Sequence, residues 1–361
     1  MKRLPILFLC LLLILCACGK EGHTQIDFSP AGNGRTFYYI GKEDGAIYYY
    51  NGATSKQFAT DQAASAMTVR GDYLLTFYTD SAGATTTNVY KKNGELVNTM
   101  NLPAASHSQY SPFTLSGEYM YTLENYKLVR QPYAEQVKSE EIDDAALYSV
   151  VDNGHGVVYY CALRDGVRLC AYDTLTGKKS TVEAPELAES VQAGVLNATD
   201  KYIAVAAQYD TDANNGAVEI YTTGGKHIKK LTELAPSGIS IAGDNIYYTD
   251  VSKFDEGITR QMVLHADTGE TEALPDNHYF TGKLGDQLAF VSLGEDADQT
   301  YLQNADGTGK QVIANSQSIP YRFGDDVVYL SMKDYKVYRR TIGESKAQLV
   351  LEPQVAFICF D

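Results

Sequence analysis

The chain has 361 residues, with 30 Lys and Arg against 45 Asp and Glu, a formal charge of −15, and 44% hydrophobic residues. That hydrophobic share excludes a disordered chain. The acidic balance excludes nucleic acid as a partner, since its binding needs clustered cations, and excludes a body drawn to anionic lipid head groups. Tyr is 28, Gly 30 and Trp 0, which favours strands and tight turns over helices.

In chain order, Lys2 and Arg3 precede an apolar run from Leu4 to Leu15. A bilayer span takes about 20 apolar residues, so the run reads as an export signal. It ends Leu15-Cys16-Ala17-Cys18-Gly19, which resembles the lipobox of bacterial lipoproteins. In that family a small residue precedes the cysteine that receives the lipid, and cleavage falls just before it. The resemblance makes Cys18, behind Ala17, the lipidation residue. Cys16 is the poorer choice because bulky Leu15 precedes it, and an ordinary signal peptide that contains cysteines is the alternative. The resemblance implies a signal peptide over 1–17, acyl chains such as palmitate on Cys18, and a protein held on the extracytoplasmic side of a cell membrane. Each buried CH₂ adds about 0.8 kcal/mol to such an anchor. Gly19 lacks the inner-membrane retention signal that an Asp supplies there in Gram-negative lipoproteins. The polar stretch 18–33, with Gly19, Gly22, Pro30 and Gly32, reads as a flexible tether.

From residue 34 onward a unit repeats. A Gly, usually followed by an acid and then an apolar run, recurs at Gly71-Asp72, Gly117-Glu118, Gly243-Asp244, Gly285-Asp286 and Gly324-Asp325, with looser copies at Gly34, Gly154 and Thr199. The spacings of these anchors average about 41, which suits four-stranded propeller blades. After each anchor comes a strand, then an Asp- and Gly-rich loop such as Lys42-Glu43-Asp44-Gly45 or Arg164-Asp165-Gly166. A second apolar strand follows (Ala46 to Tyr50, Val167 to Tyr172, Lys336 to Arg339). A Gly turn closes it at Asn93-Gly94, Thr176-Gly177, Gly224-Gly225, Thr268-Gly269 or Gly343. Such turns supply the positive φ that tight hairpins need. Six and five residues before each anchor the side chains are mostly small (Ser65, Ser111, Ser237 and Ser318; Ala66, Pro112, Ser149, Gly194 and Gly238). Small side chains are expected where first strands crowd around a central channel.

The unit is similar to the blades of TolB-like and YWTD-like β-propellers, over about residues 34–361. The resemblance implies an all-β propeller domain across 34–361, with eight four-stranded blades; seven is the alternative if the short third unit is degenerate. The first unit begins at its second strand, and Gln354 to Phe360 matches a first strand such as Gln317 to Phe323. The C-terminal strand is therefore expected to complete the first blade and leave no free edge. A rival is that Ile26-Asp27-Phe28-Ser29 supplies that strand.

Beyond the signal, the cysteines are Cys18, Cys161, Cys170 and Cys359. Cys161 and Cys170 flank the Asp165-Gly166 turn. If Arg164 pairs with Val167, Cys161 faces Cys170 in a non-hydrogen-bonded pair, where side chains approach closest. A cross-strand disulfide is the expectation outside the cytoplasm; two buried thiols is the alternative. Cys359 reads as core.

The chemistry is sparse. The six His residues are at 23, 107, 155, 227, 265 and 278, and no His-x-x-x-His, Cys-x-x-Cys, Gly-x-Ser-x-Gly or phosphate-loop motif occurs. Asp210-x-Asp212-x-Asn214 resembles the start of a calcium loop but departs at Asn215 and Tyr221. Asp173-x-x-Thr176-Gly177 and Asp267-Thr268-Gly269 resemble turns of quinoprotein-type blades, a family that includes a lipoprotein scaffold of outer-membrane assembly. Those blades depend on recurrent Trp, which this chain lacks. No catalytic residue, metal or cofactor is assigned.

Two surface features remain. The loops between second and third strands carry Glu43, Asp44, Asp80, Asp165, Asp210, Asp212, Asp255, Glu256, Glu295, Asp296, Asp298 and Asp334 on one rim. They read as solvated turns, or as a negative rim focusing a basic partner. On the same side, seven before the anchors, Gln192, His278 and Gln317, with Gln354 and nearby His107, are placed to ring the channel mouth. Amides and imidazoles around a concavity suit a neutral polar ligand. The expected role is a binding module for an envelope protein, peptide or glycan. The rival, a hydrolase or lyase at the channel mouth, needs a carboxylate in register beside His107 and His278, and the sequence places none there.

Overall fold

A computed structural model describes residues 35–59, 64–81, 84–102, 113–145, 149–163, 167–182, 193–208, 216–234, 236–250, 260–294 and 298–360. Every regular element among them is a β-strand. Blade 1 opens with β1 (Phe37–Gly41), β2 (Ile47–Tyr50) and β3 (Ser55–Ala59). Blade 2 holds β4 (Ala66–Arg70), β5 (Tyr73–Thr79), β6 (Thr85–Lys91) and β7 (Leu96–Leu102). Blade 3 holds β8 (Phe113–Ser116), β9 (Tyr119–Glu124), β10 (Lys127–Pro132) and β11 (Glu140–Asp144). Blade 4 holds β12 (Val150–Asp152), β13 (Val157–Leu163), β14 (Val167–Asp173) and β15 (Lys179–Thr181). Blade 5 holds β16 (Ala193–Ala198), β17 (Tyr202–Gln208), β18 (Gly216–Thr222) and β19 (His227–Leu234). Blade 6 holds β20 (Pro236–Ala242), β21 (Asn245–Asp250), β22 (Arg260–His265) and β23 (Thr271–Ala273). Blade 7 holds β24 (His278–Leu284), β25 (Gln287–Ser292), β26 (Gln299–Asn304) and β27 (Gln311–Ala314). Blade 8 holds β28 (Ser318–Phe323), β29 (Asp326–Ser331), β30 (Val337–Thr341) and β31 (Gln348–Leu351). The last strand, β32 (Val355–Phe360), returns to blade 1.

The fold is a β-propeller of eight four-stranded antiparallel blades, closed by the C-terminal strand. β32 pairs with β1 from Phe37↔Phe360 to Gly41↔Val355, so the rival in which Ile26 to Ser29 fills that place is overturned. The third unit forms a full blade, which removes the seven-blade alternative. The chain divides into two compact units. One is built on Asn101–Asp276 and holds blades 3 to 6. The other is built on Leu15–Ser81, Thr85–Met100 and Asn277–Asp361 and holds blades 1, 2, 7 and 8.

The Gly-acid anchors are the turns between first and second strands. Arg70↔Tyr73, Ser116↔Tyr119, Ala242↔Asn245, Leu284↔Gln287 and Phe323↔Asp326 each close around two residues. The first of the two is a glycine with φ between +54° and +66°, while the acid after it keeps a negative φ. Positive φ at the first central residue alone is the demand of a type II′ turn, whose twist matches the strands it joins. In blade 5 Asp200 and Lys201 take the turn between Thr199 and Tyr202 in place of a glycine and an acid, and Thr199 Oγ1 accepts from the Tyr202 N–H at 3.1 Å.

Within each unit the core lies between the faces of successive blades. In the first unit, Tyr121, Leu123 and Leu128 of blade 3 pack against Val150, Val158, Tyr160 and Tyr172 of blade 4. The other face of blade 4 (Val151, Tyr159 and Leu169) meets Ile203, Val205 and Tyr221 of blade 5. In the second unit, Ala289 and Leu302 of blade 7 meet Val327 and Tyr329 of blade 8. Both faces of a blade are thus buried, and the strands read as continuous apolar runs rather than alternating ones. In blades 1, 7 and 8 a cross-strand aromatic pair stacks: Tyr39 on Tyr48, Phe290 on Tyr301 and Tyr329 on Tyr338, with centroids 5.0, 5.3 and 5.6 Å apart. The first member always stands five residues past the anchor.

The hairpin around Arg164 to Gly166 corrects an expectation. Leu163 pairs with Val167, which puts Cys161 opposite Leu169 and Cys170 opposite Tyr160. The loop is three residues rather than two, and the one-residue slip sends the two side chains to opposite faces. Cys161 packs toward blade 5 and Cys170 toward blade 3. Both are buried thiols, and the expected disulfide is not formed.

Candidate functional site

The polar residues expected at the first-strand starts are partly in view. His278 is the first residue of β24, while Gln317 and Gln354 immediately precede β28 and β32. All three belong to the unit that holds blades 7, 8 and 1. Each glutamine reaches back to the loop between second and third strands of the preceding blade. The Gln317 amide donates to Asp298 Oδ2 at 2.8 Å, and the Gln354 amide donates to the Asp334 carbonyl at 3.2 Å. Main-chain bonds hold the same starts: the Met332 N–H donates to Gln317, Lys42 to Gln354 and Val355 to Tyr335, at 2.8, 3.0 and 2.7 Å. The His278 ring stands edge-on to Tyr301 with centroids 5.9 Å apart. The amides are thus fixed in direction by their own fold.

The second-to-third-strand loops of blades 1 and 8 are built alike, the latter being the one that receives Gln354. Asp44 Oδ1 accepts from the Ala46 N–H at 3.0 Å and Asp334 Oδ1 from the Lys336 N–H at 3.3 Å. Tyr48 donates its hydroxyl to Asp44 at 2.6 Å and Tyr338 to Asp334 at 2.5 Å. Gly45 has φ +66°, and Tyr335 takes the equivalent place with φ +60°. The Tyr48 hydroxyl bond holds the Asp44 carboxyl below the usual range. Burial pushes Asp334 up, but bonds from Tyr338, Ser331 and the Lys336 N–H outweigh it and leave that carboxyl low as well. The carboxylates in turn push both phenols up to about 12.

Cys18, His107 and Gln192 lie outside the described residues, as do the 1–17 signal and the 18–33 tether. So do the calcium-like loop and the rim acids Asp165, Asp210, Asp212, Asp255, Glu256, Glu295 and Asp296. Of the described rim acids, Asp44, Asp298 and Asp334 are bonded within their own fold. Among the described residues no group of three or more His, Cys, Asp and Glu side chains is placed to hold a metal ion. Tyr48 and Tyr338 were not singled out by sequence. Their signal is legible: Asp44-x-x-x-Tyr48 and Asp334-x-x-x-Tyr338 share one spacing at the same point of their units. Together the starts present amide donors and acceptors and one imidazole, groups that hydrogen-bond a neutral polar molecule.

No family model matches the chain, and no curated protein matches it. Solved structures do. A puromycin hydrolase is 12% identical, with 81% of this chain and 54% of that chain covered and a TM-score of 0.48. A Mycobacterium tuberculosis puromycin-hydrolyzing peptidase is 14% identical over 80% of this chain and 52% of that chain, with a TM-score of 0.46. A chain of a nidogen/laminin complex is 15% identical over 67% of this chain and 97% of that chain, with a TM-score of 0.31. The chain spans about half the length of the first two. Likenesses at this level carry no activity to this chain.

Proposed function

We propose that this chain is a lipid-anchored propeller at the extracytoplasmic face of a cell membrane, where it binds an envelope protein, peptide or glycan. The anchor rests on the lipobox-like run that ends at Cys18 and the polar tether behind it. The binding role rests on one observation: Gln317 and Gln354 are held in place by Asp298 and the Asp334 carbonyl at the starts of successive first strands, after His278 opens the one before. Polar groups fixed beforehand lose less freedom on binding than mobile ones do.

The binding half is tested by capture from envelope extract with the full chain, repeated with His278→Ala plus Gln317→Ala. Capture should be lost while the circular dichroism spectrum is kept; undiminished capture removes these residues as the contact. Palmitate labelling tests the anchor: label should vanish in Cys18→Ala, and label that persists there rules that cysteine out.

A further inference from the structure

Each blade has an outer strand that, among the described residues, pairs on one side only. Such an edge leaves a row of N–H and C=O groups open to another chain, and proteins blunt it by keeping it short or charged. The outer strands of this chain follow that rule with one exception. β15 and β23 have three residues each, β27 and β31 four. The longer ones carry charge: Lys56 on β3, Lys229 and Lys230 on β19, and four acids among the five residues of β11. The exception is β7 of blade 2, whose seven residues, Leu-Val-Asn-Thr-Met-Asn-Leu, hold neither a charge nor a proline.

Its burial points the same way. Asn98 and Met100 are buried while Thr99 between them is exposed. Successive side chains on a strand point to opposite faces, so Leu96 shares the face of Asn98 and Met100. Leu96 is nevertheless 48% exposed. A strand laid along β7 extends that face and covers it, while the open main-chain groups supply the hydrogen bonds. Charge selects the occupant. The chain carries −15, so two copies repel wherever their acids meet. A two-fold axis sets one patch against itself, and like charges directly opposite each other destabilise a strand pair. β11 so paired would oppose acid to acid, whereas β7 opposes uncharged to uncharged in every register. We propose that β7 pairs edge to edge with β7 of a second copy of this chain, forming a two-fold dimer. The contact involves neither Cys18 nor the first-strand starts.

One strand pair is a small interface, in the class under about 1,200 Å², so the dimer should form with a Kd on the order of 100 µM. Light scattering on the full chain in excess detergent reads the protein mass. It should climb from one chain toward two as concentration rises through about 100 µM. Thr99→Lys and Leu96→Lys, both at exposed positions of β7, should raise Kd by about tenfold or more. The Thr99 hydroxyl donates to Asn88 Oδ1 at 2.9 Å, and Thr99→Val removes that bond without adding charge. It should dimerise like wild type, as should Gln348→Lys on the short edge β31. Circular dichroism should be unchanged in all four. Wild type that keeps the mass of one chain throughout overturns the proposal, and so does either β7 lysine variant that associates as wild type does.

Discussion

Replacing Ile358 by Ala probes the closure of blade 1 directly. Ile358 is 1% exposed, pairs with Tyr39 across the β1–β32 ladder, and its carbonyl accepts the Tyr321 hydroxyl at 3.0 Å. The Ala variant keeps that carbonyl bond and removes the three side-chain carbons beyond Cβ, about 2.4 kcal/mol of transfer energy at about 0.8 kcal/mol per carbon. The cavity left behind raises the cost, and buried truncations of this size run about 2–5 kcal/mol. Ala356, two residues earlier on the same strand, is exposed. Ala356→Ser should therefore stay within about 0.5 kcal/mol of wild type. Urea titrations followed by circular dichroism give both midpoints. If Ile358→Ala unfolds at the same urea concentration as Ala356→Ser, the last strand is not part of the folded core and the closure is wrong.

Gly324→Ala should destabilise by about 1 kcal/mol. Nothing lies within 4 Å of the added Cβ and φ is +63°, so the penalty is the left-handed backbone itself, about 1–2 kcal/mol, partly offset by a stiffer unfolded chain; thermal melting reads it, and an unchanged midpoint contradicts the turn geometry. The Asp44–Tyr48 and Asp334–Tyr338 pairs give stability a pH signature at both ends. The carboxyls are lower in the folded chain than in the unfolded one, so their contribution holds at neutral pH and is lost as pH falls through their depressed values. The phenols are raised from 10.0 to about 12, so theirs holds below pH 10 and is lost as pH climbs toward 12. Tyr48→Phe with Tyr338→Phe should flatten the alkaline arm of a plot of melting temperature against pH. Cys161, its thiol pushed up to about 12 by burial and by nearby Cys170, should resist alkylation in the native protein. After unfolding without reductant both cysteines should alkylate, and a disulfide-linked peptide pair in the mass spectrum would contradict the observed register.

The sequence by itself determined the architecture. A turn that needs positive φ at one place selects glycine there, so the blade boundaries repeat in the letters at Gly71, Gly117, Gly243, Gly285 and Gly324. The match of Gln354 to Phe360 with a first strand foretold the closing strand, because strands in equivalent surroundings need similar side chains. Register and side-chain partners were decided only by the tertiary structure. A third residue in the loop after Leu163 moves Cys161 and Cys170 to opposite faces, and the composition of Arg164-Asp165-Gly166 is compatible with either loop length. Likewise, Gln317 and Gln354 read as open polar groups in sequence, but each amide gives one N–H to the preceding blade, to Asp298 and to the Asp334 carbonyl, which fixes its direction. Such partners are set by how blades pack against one another, a long-range geometry that local letter patterns do not encode.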